Sequence, residues 1–146
     1  MKIFLGADHK GWKIKEGLEL YLKDEGYDVV DVGDKELNPN DDFPKYSAKV
    51  AVGVLSEKDA KGIVLCGSGQ GVCIAANRFK GIRASLVWNK YEAHSSRNDD
   101  DANVLCLPSH EMDFDKAKEL VDVWLSTQFE SVSRRIRRIK QLDELN

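Results

Sequence analysis

Several features that mark particular classes of protein are scarce or missing in this chain of 146 residues. No apolar run approaches the roughly 20 residues that span a membrane, and the short, polar start MKIFLGADHK is unlike a secretory signal. Its three cysteines have no C-x-x-C spacing, which fits neither a disulfide framework nor a zinc site. The 22 basic and 25 acidic side chains nearly balance, which gives no general attraction to nucleic acid. The sequence therefore predicts a cytoplasmic protein with reduced thiols, no metal, and no membrane or nucleic-acid partner.

The order of the sequence patterns predicts the fold class. Strand-like runs cover 2–6, 28–32, 62–65, 83–87 and 104–107, and helical patterns cover 12–25, 46–56, 71–77, 89–97 and 113–127. Strands that alternate with helices in this way are joined by crossover connections and run parallel. We therefore expect a three-layer α/β fold, in which a Rossmann-like, doubly wound open sheet of five parallel strands lies between helices.

The length is that of one domain, and we expect residues 1–146 to form it. Beyond residue 129 the chain becomes basic, with the run SRRIRRIK, and Ile136, Ile139 and Leu142 recur at helical spacing. This segment continues past the last crossover helix of the sheet. We interpret 129–146 as an extra C-terminal helix that packs on a partner subunit.

Polar and glycine residues follow the predicted strands, where ligands bind in open parallel sheets. Asp8 and His9 follow the first strand, and the loop CGSGQG, residues 66–71, follows the third. The glycines of this loop are two residues apart, unlike a dinucleotide fingerprint, and the loop lacks the lysine of a P-loop. The loop instead offers a run of N–H groups leading into a helix, which can bind a phosphate or a transient oxyanion.

The cysteine at the start of this loop allows three interpretations. Cys66 could be a small apolar side chain that fills the end of a strand, as buried cysteines often do. It could belong to a phosphate-binding loop, or it could be a reactive thiolate, because a helix N-terminus lowers the pKa of a thiol. Ser68 favours a reactive site, since its hydroxyl could pass protons between neighbouring substrate oxygens.

The chain resembles the type B ribose-5-phosphate isomerases, a family that includes galactose-6-phosphate isomerase subunits. The matching segments are GADHKGWKIK at 6–15, DFPKYS at 42–47, GIVLCGSGQGVCIAANRFKGIRAS at 62–85, SRNDDDANVL at 96–105 and SRRIRR at 133–138. The resemblance implies an aldose–ketose isomerase without metal or organic cofactor. It also implies a homodimer or a dimer of dimers with active sites at the subunit interface.

The resemblance also implies roles for the residues of the glycine-rich loop. Cys66 would be the base that removes the proton next to the substrate carbonyl, and Ser68 would move a proton between the two oxygens. Backbone N–H groups around Gly67, Gly69 and Gly71 would hold the negative charge of the enediolate.

Other positions match the part of the family site that binds the sugar phosphate. Asp8 matches a residue that contacts the sugar, and Asn103 matches a position that contacts substrate or holds a loop. His9 matches a histidine near the phosphate. With one inserted residue allowed, Arg134 and Arg138 match arginines that bind the phosphate, from the other subunit.

Three departures from the family pattern bear on the substrate. Asp99 stands where the family has the histidine that opens the sugar ring, and His94 is a conceivable substitute. Phe43 replaces a common tyrosine, and His110 replaces an arginine. The resemblance favours conversion of ribose 5-phosphate to ribulose 5-phosphate. The departures leave open another pentose or hexose phosphate, or a non-catalytic protein that binds a sugar phosphate.

Overall fold

The computed structural model describes residues 1–145, which form five strands and six α-helices in alternating order until the last two helices. The strands are β1 (Lys2–Ala7), β2 (Asp28–Asp31), β3 (Lys61–Cys66), β4 (Ala84–Leu86) and β5 (Val104–Pro108). The helices are α1 (Trp12–Asp24), α2 (Phe43–Ser56), α3 (Gln70–Ala76), α4 (Lys90–Asp100), α5 (Phe114–Ser126) and α6 (Ser133–Asp143). A single 3₁₀ turn within this range, Ser109–Glu111, joins β5 to α5.

All five strands pair in parallel, in the order β2-β1-β3-β5-β4. The chain first moves outward from β1 to β2 and then crosses to β3 on the other side of β1. This reversal of direction opens a crevice beyond the carboxyl ends of β1 and β3. The predicted doubly wound α/β sheet is confirmed, and its topology indicates where a ligand would bind.

Two hydrophobic cores cover the two faces of the sheet, because successive side chains of each strand point to opposite faces. Ile3 and Leu5 pack on one face with apolar side chains of α1 and α5. Phe4 and Val64 pack on the other face with side chains of α2 and α3. The middle strands are therefore buried on both sides, which explains why their sequences are continuous apolar runs.

The last helix differs from the others because none of its residues is buried. It contacts α4, and the N–H of Glu130, just before it, donates to the carbonyl of Asn98 at 3.1 Å. The predicted C-terminal helix is therefore present, although residue 146 of that segment lies outside the described residues. Within 1–145, no helix combines the length and the apolar character needed to cross a bilayer.

Candidate active site

A cavity of about 390 Å³ lies in the crevice beyond β1 and β3. It is built from the turn after β1, the end of the loop before α2, the glycine-rich loop after β3 and the 3₁₀ turn after β5. Its lining residues are Asp8, His9, Lys10, Asp41, Asp42, Phe43, Cys66, Gly67, Ser68, Gly71 and His110. Three larger cavities are described: those of about 520 and 650 Å³ contain no cysteine or histidine, and that of about 460 Å³ contains Cys73 but no histidine, hydroxyl or carboxylate side chain. The smaller cavity is therefore the candidate active site.

Cys66 reaches this cavity although it is nearly buried, with 5% of its surface exposed. It is the last residue of β3, so a rigid, central strand fixes its position. The other two thiols lie outside the cavity. Burial raises the pKa of Cys106 well above its ordinary value, and Cys106 in turn lowers the pKa of Cys73 by a hydrogen bond. Among the three thiols, only Cys66 lines this cavity.

The glycine-rich loop turns sharply between Cys66 and α3. Gly69 adopts a left-handed conformation, with φ of 72°, that other residues rarely take, and it precedes the first turn of α3. Ser68 is exposed and lines the cavity, and its Oγ accepts a hydrogen bond from the N–H of Gln70 at 3.3 Å. The next N–H, that of Gly71, belongs to the first helical turn, where no helical carbonyl can accept it. The loop thus presents a hydroxyl and backbone donors beside the thiol.

Two basic side chains fold over the start of this loop. A Cβ atom on Gly67 would lie 2.8 Å from Cε1 of His110 and 2.9 Å from Cδ of Lys10. The turn that carries His110 is fixed by its own N–H, which donates to the carbonyl of Gly67 at 2.9 Å. Ser109 adds hydrogen bonds to the carbonyls of Lys10 and Cys66, at 2.9 and 3.0 Å. Glycine at position 67 therefore leaves the space in which the side chains of Lys10 and His110 reach the cavity.

Asp8 and His9 form the wall on the β1 side. The Oδ1 atom of Asp8 accepts the N–H groups of Lys10 at 2.9 Å and Gly11 at 3.3 Å, which fixes the turn into α1. His9 is held by a residue 32 positions later, since Oδ1 of Asp41 lies 2.9 Å from its backbone N and 2.8 Å from Nδ1. The side chain of Asp41 is only 5% exposed. The loop before α2 is therefore tied to the turn after β1 at the cavity itself.

Phe43 is the first residue of α2 and packs against the glycine-rich loop. A Cβ atom on Gly71 would lie 2.7 Å from the tip of the Phe43 ring. The ring therefore depends on glycine at position 71 for its place in the cavity wall. Phe43 brings an apolar edge, whereas most of the other lining side chains are polar.

Eight of the thirteen site residues expected from the sequence line this cavity. They are Asp8, His9, Phe43, Cys66, Gly67, Ser68, Gly71 and His110. Gly69 lies behind the loop, where a Cβ atom would be 3.0 Å from the backbone of Leu107 and Pro108. The remaining four lie in segments at the other edge of the sheet and do not line the cavity of this chain.

Asp99 and Asn103 lie where α4 ends and β5 begins, at the amino edge of the sheet. Oδ1 of Asp99 is 2.7 Å from Nη2 of Arg135 on α6. The amide of Asn103 accepts the N–H of Arg83 and donates to the carbonyl of Gly81, both at 2.8 Å. Within this chain, Asp99 pairs with the C-terminal helix and Asn103 holds the turn before β4.

Arg134 and Arg138 are exposed on α6. Their neighbour Arg135 is the arginine of this helix that pairs with the body of the chain, through Asp99 and also through Glu130. Neither Arg134 nor Arg138 is involved in a described ion pair. The guanidinium groups of Arg134 and Arg138 are therefore exposed on the surface of α6.

Sequence reasoning missed three residues that line the cavity, Lys10, Asp41 and Asp42. Lys10 directly follows the Asp8–His9 pair, and this adjacency was the available signal. The two aspartates close the turn-rich loop DKELNPNDDFP and directly precede Phe43. Because that loop follows β2, its end reaches the same edge as the other strand ends, which could have identified it.

Asp8, His9 and Asp41 offer ligand atoms that all lie within 4.8 Å of one another, a spacing that could suit a metal ion. Both carboxylates already accept backbone hydrogen bonds, and Nδ1 of His9 is paired with Asp41. The hydrogen bonds alone account for the arrangement of these three residues. We assign no ion to them.

The family model described as Ribose/Galactose Isomerase matches residues 3–142. Ribose-5-phosphate isomerase B of Escherichia coli is 39% identical over 129 residues, which are 88% of this chain and 86% of that protein. The probable ribose-5-phosphate isomerase B of Mycoplasma pneumoniae is 40% identical over 128 residues, or 88% of this chain and 84% of the relative.

Solved structures give the same result. Ribose-5-phosphate isomerase B of Clostridium thermocellum has a TM-score of 0.94 and 40% identity, and the match covers 99% of this chain and 97% of that one. The enzyme of Mycoplasma genitalium, solved with bound ribulose-5-phosphate, has a TM-score of 0.94 and 38% identity, with 98% and 94% of the chains covered. The similarity therefore extends over almost the whole chain.

Proposed function

Because this chain belongs to the ribose/galactose isomerase family, we propose that its cavity interconverts ribose 5-phosphate and ribulose 5-phosphate with the Cys66 thiolate as the base. The family assignment makes the chain an aldose–ketose isomerase. The choice of substrate is supported by relatives named ribose-5-phosphate isomerase B and by the Mycoplasma genitalium structure with bound ribulose-5-phosphate.

The reaction moves one hydrogen between neighbouring carbons and needs no external oxidant or reductant. The Cys66 thiolate takes the proton from C2 of the open-chain aldose, the C2–H electron pair forms the C1–C2 double bond, and the π pair of the C1 carbonyl moves onto O1 to give the enediolate. The resulting thiol returns the proton to C1, while the hydroxyl of Ser68 passes a proton between O2 and O1. The observation that carries this assignment is a nearly buried thiol that lines a cavity together with a hydroxyl and backbone donors.

The negative charge of the enediolate needs donors that are already in place. The glycine-rich loop between Gly67 and Gly71 provides backbone N–H groups beside Cys66, held by the left-handed turn at Gly69. Loss of one such donor typically costs about 3 to 4 kcal/mol of transition-state stabilisation. Asp8 lies on the same wall of the cavity and would contact the hydroxyl groups of the sugar.

The phosphate would lie at the basic end of the cavity, against His9 and His110. Arg134 and Arg138 would complete the site, because a guanidinium donates paired hydrogen bonds to phosphate oxygens. Both arginines lie on a helix at the opposite edge of the sheet, so a second copy of the chain must supply them.

We therefore propose a homodimer, or a dimer of dimers, in which residues 129–145 of one copy reach the cavity of another. The exposed apolar side chains Ile74, Trp88 and Tyr91 are consistent with a further buried interface. Asp99 would reach the same neighbouring cavity. As a carboxylate paired with Arg135, it can accept a proton or a hydrogen bond from a sugar hydroxyl but cannot donate one.

The proposal is tested by incubating the purified protein with ribose 5-phosphate in deuterated water and following both sugars by NMR. We expect ribulose 5-phosphate to form, with solvent deuterium appearing next to the carbonyl. Cys66→Ala should lower kcat by about 10³-fold, within the range for loss of a general base. Cys73→Ala is the matched control, because that thiol lies outside the cavity, and it should leave kcat unchanged.

Two results would contradict the proposal in different ways. Exchange that proceeds in Cys66→Ala at the wild-type rate would exclude the thiol as the base. Turnover of allose or galactose 6-phosphate with none of ribose 5-phosphate would overturn the substrate, and no exchange with any sugar phosphate would indicate a protein that only binds them.

A further inference from the structure

We propose that Asp41 is a positioning residue for His9, which orients the imidazole so that Nε2 is the nitrogen that meets the substrate phosphate. The identity of that ligand rests on the proposed function, whereas the orientation of the ring rests on the geometry of this chain. Asp41 itself would not touch the phosphate.

The side chains of Asp41 and His9 form a close pair. One oxygen of Asp41 accepts from both the backbone N–H of His9, at 2.9 Å, and ring nitrogen Nδ1, at 2.8 Å. The carboxylate is 5% exposed, so water competes little for it, whereas the His9 side chain is 30% exposed. Two bonds to one residue fix both the backbone and the ring of His9.

This pairing determines which ring nitrogen of His9 carries hydrogen. A carboxylate only accepts hydrogen bonds, so Nδ1 must carry a hydrogen whether the ring is neutral or charged. Nε2 is then either a bare acceptor or the second N–H of an imidazolium. It has no hydrogen-bond partner within residues 1–145, and His9 lines the cavity. In the imidazolium form, the Nε2–H group would donate to a phosphate on that side of the ring.

Contacts other than the Asp41 carboxylate also hold the loop before α2. The indole N–H of Trp12 donates to the carbonyl of Asp34 at 3.1 Å, and the hydroxyl of the buried Tyr46 donates to the carboxylate of Asp34. The N–H of Asp41 donates to the carbonyl of Asn38 at 3.3 Å. Substitution at Asp41 therefore removes the restraint on His9 together with the interaction of this carboxylate with the Tyr46 hydroxyl, and it leaves the hydrogen bonds to Asp34 in place.

The orientation of the ring can be measured without substrate. The chain has three histidines, so ¹⁵N NMR at a pH where the rings are neutral resolves each tautomer, with His94→Gln and His110→Gln for assignment. We expect hydrogen on Nδ1 of His9 in the wild-type protein. Asp41→Ala should return the ring to the Nε2–H form that free imidazole side chains prefer, and Asp41→Asn, which keeps an acceptor, should retain part of the Nδ1–H signal.

The consequence for the ligand is measured with inorganic phosphate and ribose 5-phosphate. Asp41→Ala should weaken phosphate binding and raise KM by about tenfold each, the loss expected for one charged hydrogen bond, with kcat changed less than about threefold. Asp42→Asn is the matched control for Asp41→Asn, since it removes the same charge one residue away and makes no contact with His9. It should leave the His9 tautomer as in the wild type.

A double-substitution cycle separates positioning from a merely structural effect. If Asp41 acts through His9, then Asp41→Ala should have no further effect on phosphate binding in a His9→Ala protein. A full tenfold loss in that background would overturn the proposal, as would hydrogen on Nε2 of His9 in the wild type. Both measurements use the substrate-free or phosphate-bound protein, so they remain decisive if ribose 5-phosphate is not turned over.

Discussion

At the carboxyl edge of the sheet, Asp8, Cys66 and the side chain of Asp41 are buried, and hydrogen bonds join the loops around the cavity. At the amino edge, Asp99, Arg134 and Arg138, which the family resemblance assigns to the same site, lie on helix surfaces. Asp41 holds His9 with two bonds from a carboxylate that is 5% exposed. Asp99, by contrast, is 43% exposed and has its ion pair with a helix that buries none of its residues.

The difference shows which part of the site this chain can form alone. Residues of the first region are positioned by strand ends and by a packed loop, so their geometry follows from the fold of one chain. Residues of the second region, at the amino edge, do not line the cavity of their own chain. In the proposed dimer they gain their function only when a second copy brings them to a cavity.

The largest expected effect concerns the buried charges behind the cavity wall. Lys15 and Asp31 are fully buried and lie 2.6 Å apart, next to the start of the loop that carries Asp41. Lys15→Met leaves the carboxylate without its buried partner, which should lower the free energy of unfolding by about 3 to 5 kcal/mol. Urea denaturation measures this loss. Lys15→Met with Asp31→Asn, which removes both charges and keeps an acceptor for the N–H of Gly33, should recover more than half of it.

The same pair sets a dependence of stability on pH. Burial alone would raise the pKa of Asp31, but hydrogen bonds from Lys15 and Gly33 outweigh it, and the pKa falls below the ordinary 3.8. Burial likewise opposes the charge of Lys15, yet Asp31 and Glu16 raise its pKa above 10.5. The stability from Asp31 is therefore present above about pH 4 and lost as the pH falls through its folded pKa. The stability that Lys15 contributes is lost as the pH rises through the folded pKa of Lys15. If the doubly substituted protein lost as much stability at acid pH as the wild type, this explanation would be contradicted.

The fold and the first region could be predicted from the sequence because both follow from local patterns. Continuous apolar runs mark strands buried on two faces, and polar residues after β1 and β3 must meet at one edge of a parallel sheet. Asp8, His9, Cys66 and Ser68 were identified in this way. Asp41 was missed because it lies in a long loop, whose path depends on distant contacts such as that of Tyr46 with Asp34.

The second region could not be located from sequence patterns in the same way. A family motif records that an arginine or an aspartate belongs to a site but does not record which copy of the chain supplies it. The role of Asn103 is likewise not fixed by its motif. The oxygen and the nitrogen of its side-chain amide both bind backbone groups, of Arg83 and Gly81. Its match to the family motif is compatible with holding a loop as well as with binding substrate.

The next effect tests whether the second region serves another copy. A protein with Arg134→Ala and Arg138→Ala should show KM raised by about 10- to 100-fold, since each arginine forms charged hydrogen bonds to phosphate. Co-folding it with the Cys66→Ala protein should restore about a quarter of wild-type activity, because half of the dimers would be mixed and one of their two sites would be intact.

The matched control for this complementation is a mixture of Cys66→Ala with Ser68→Ala. Both substitutions lie in the same cavity, so no mixed dimer contains an intact site and no activity should return. Equal recovery in the two mixtures would contradict a site shared between copies. No recovery in the first mixture, despite mixed dimers detected by native mass spectrometry, would place Arg134 and Arg138 outside the site.

The smallest effect on stability is expected at Asp99, where the two regions differ most. Its ion pair is exposed and Arg135 keeps Glu130 as a second partner, so Asp99→Asn should change the free energy of unfolding by less than about 1 kcal/mol.

If Asp99 takes part in opening the sugar ring, Asp99→Asn should lower the turnover of ribose 5-phosphate although it leaves the stability almost unchanged. Deuterium exchange into ribulose 5-phosphate should persist, because its phosphorylated O5 prevents it from closing a ring. Asp100→Asn removes the same charge from an exposed neighbour and should change neither reaction. If Asp99→Asn lowered the turnover of ribose 5-phosphate and the exchange into ribulose 5-phosphate equally, a role confined to ring opening would be excluded.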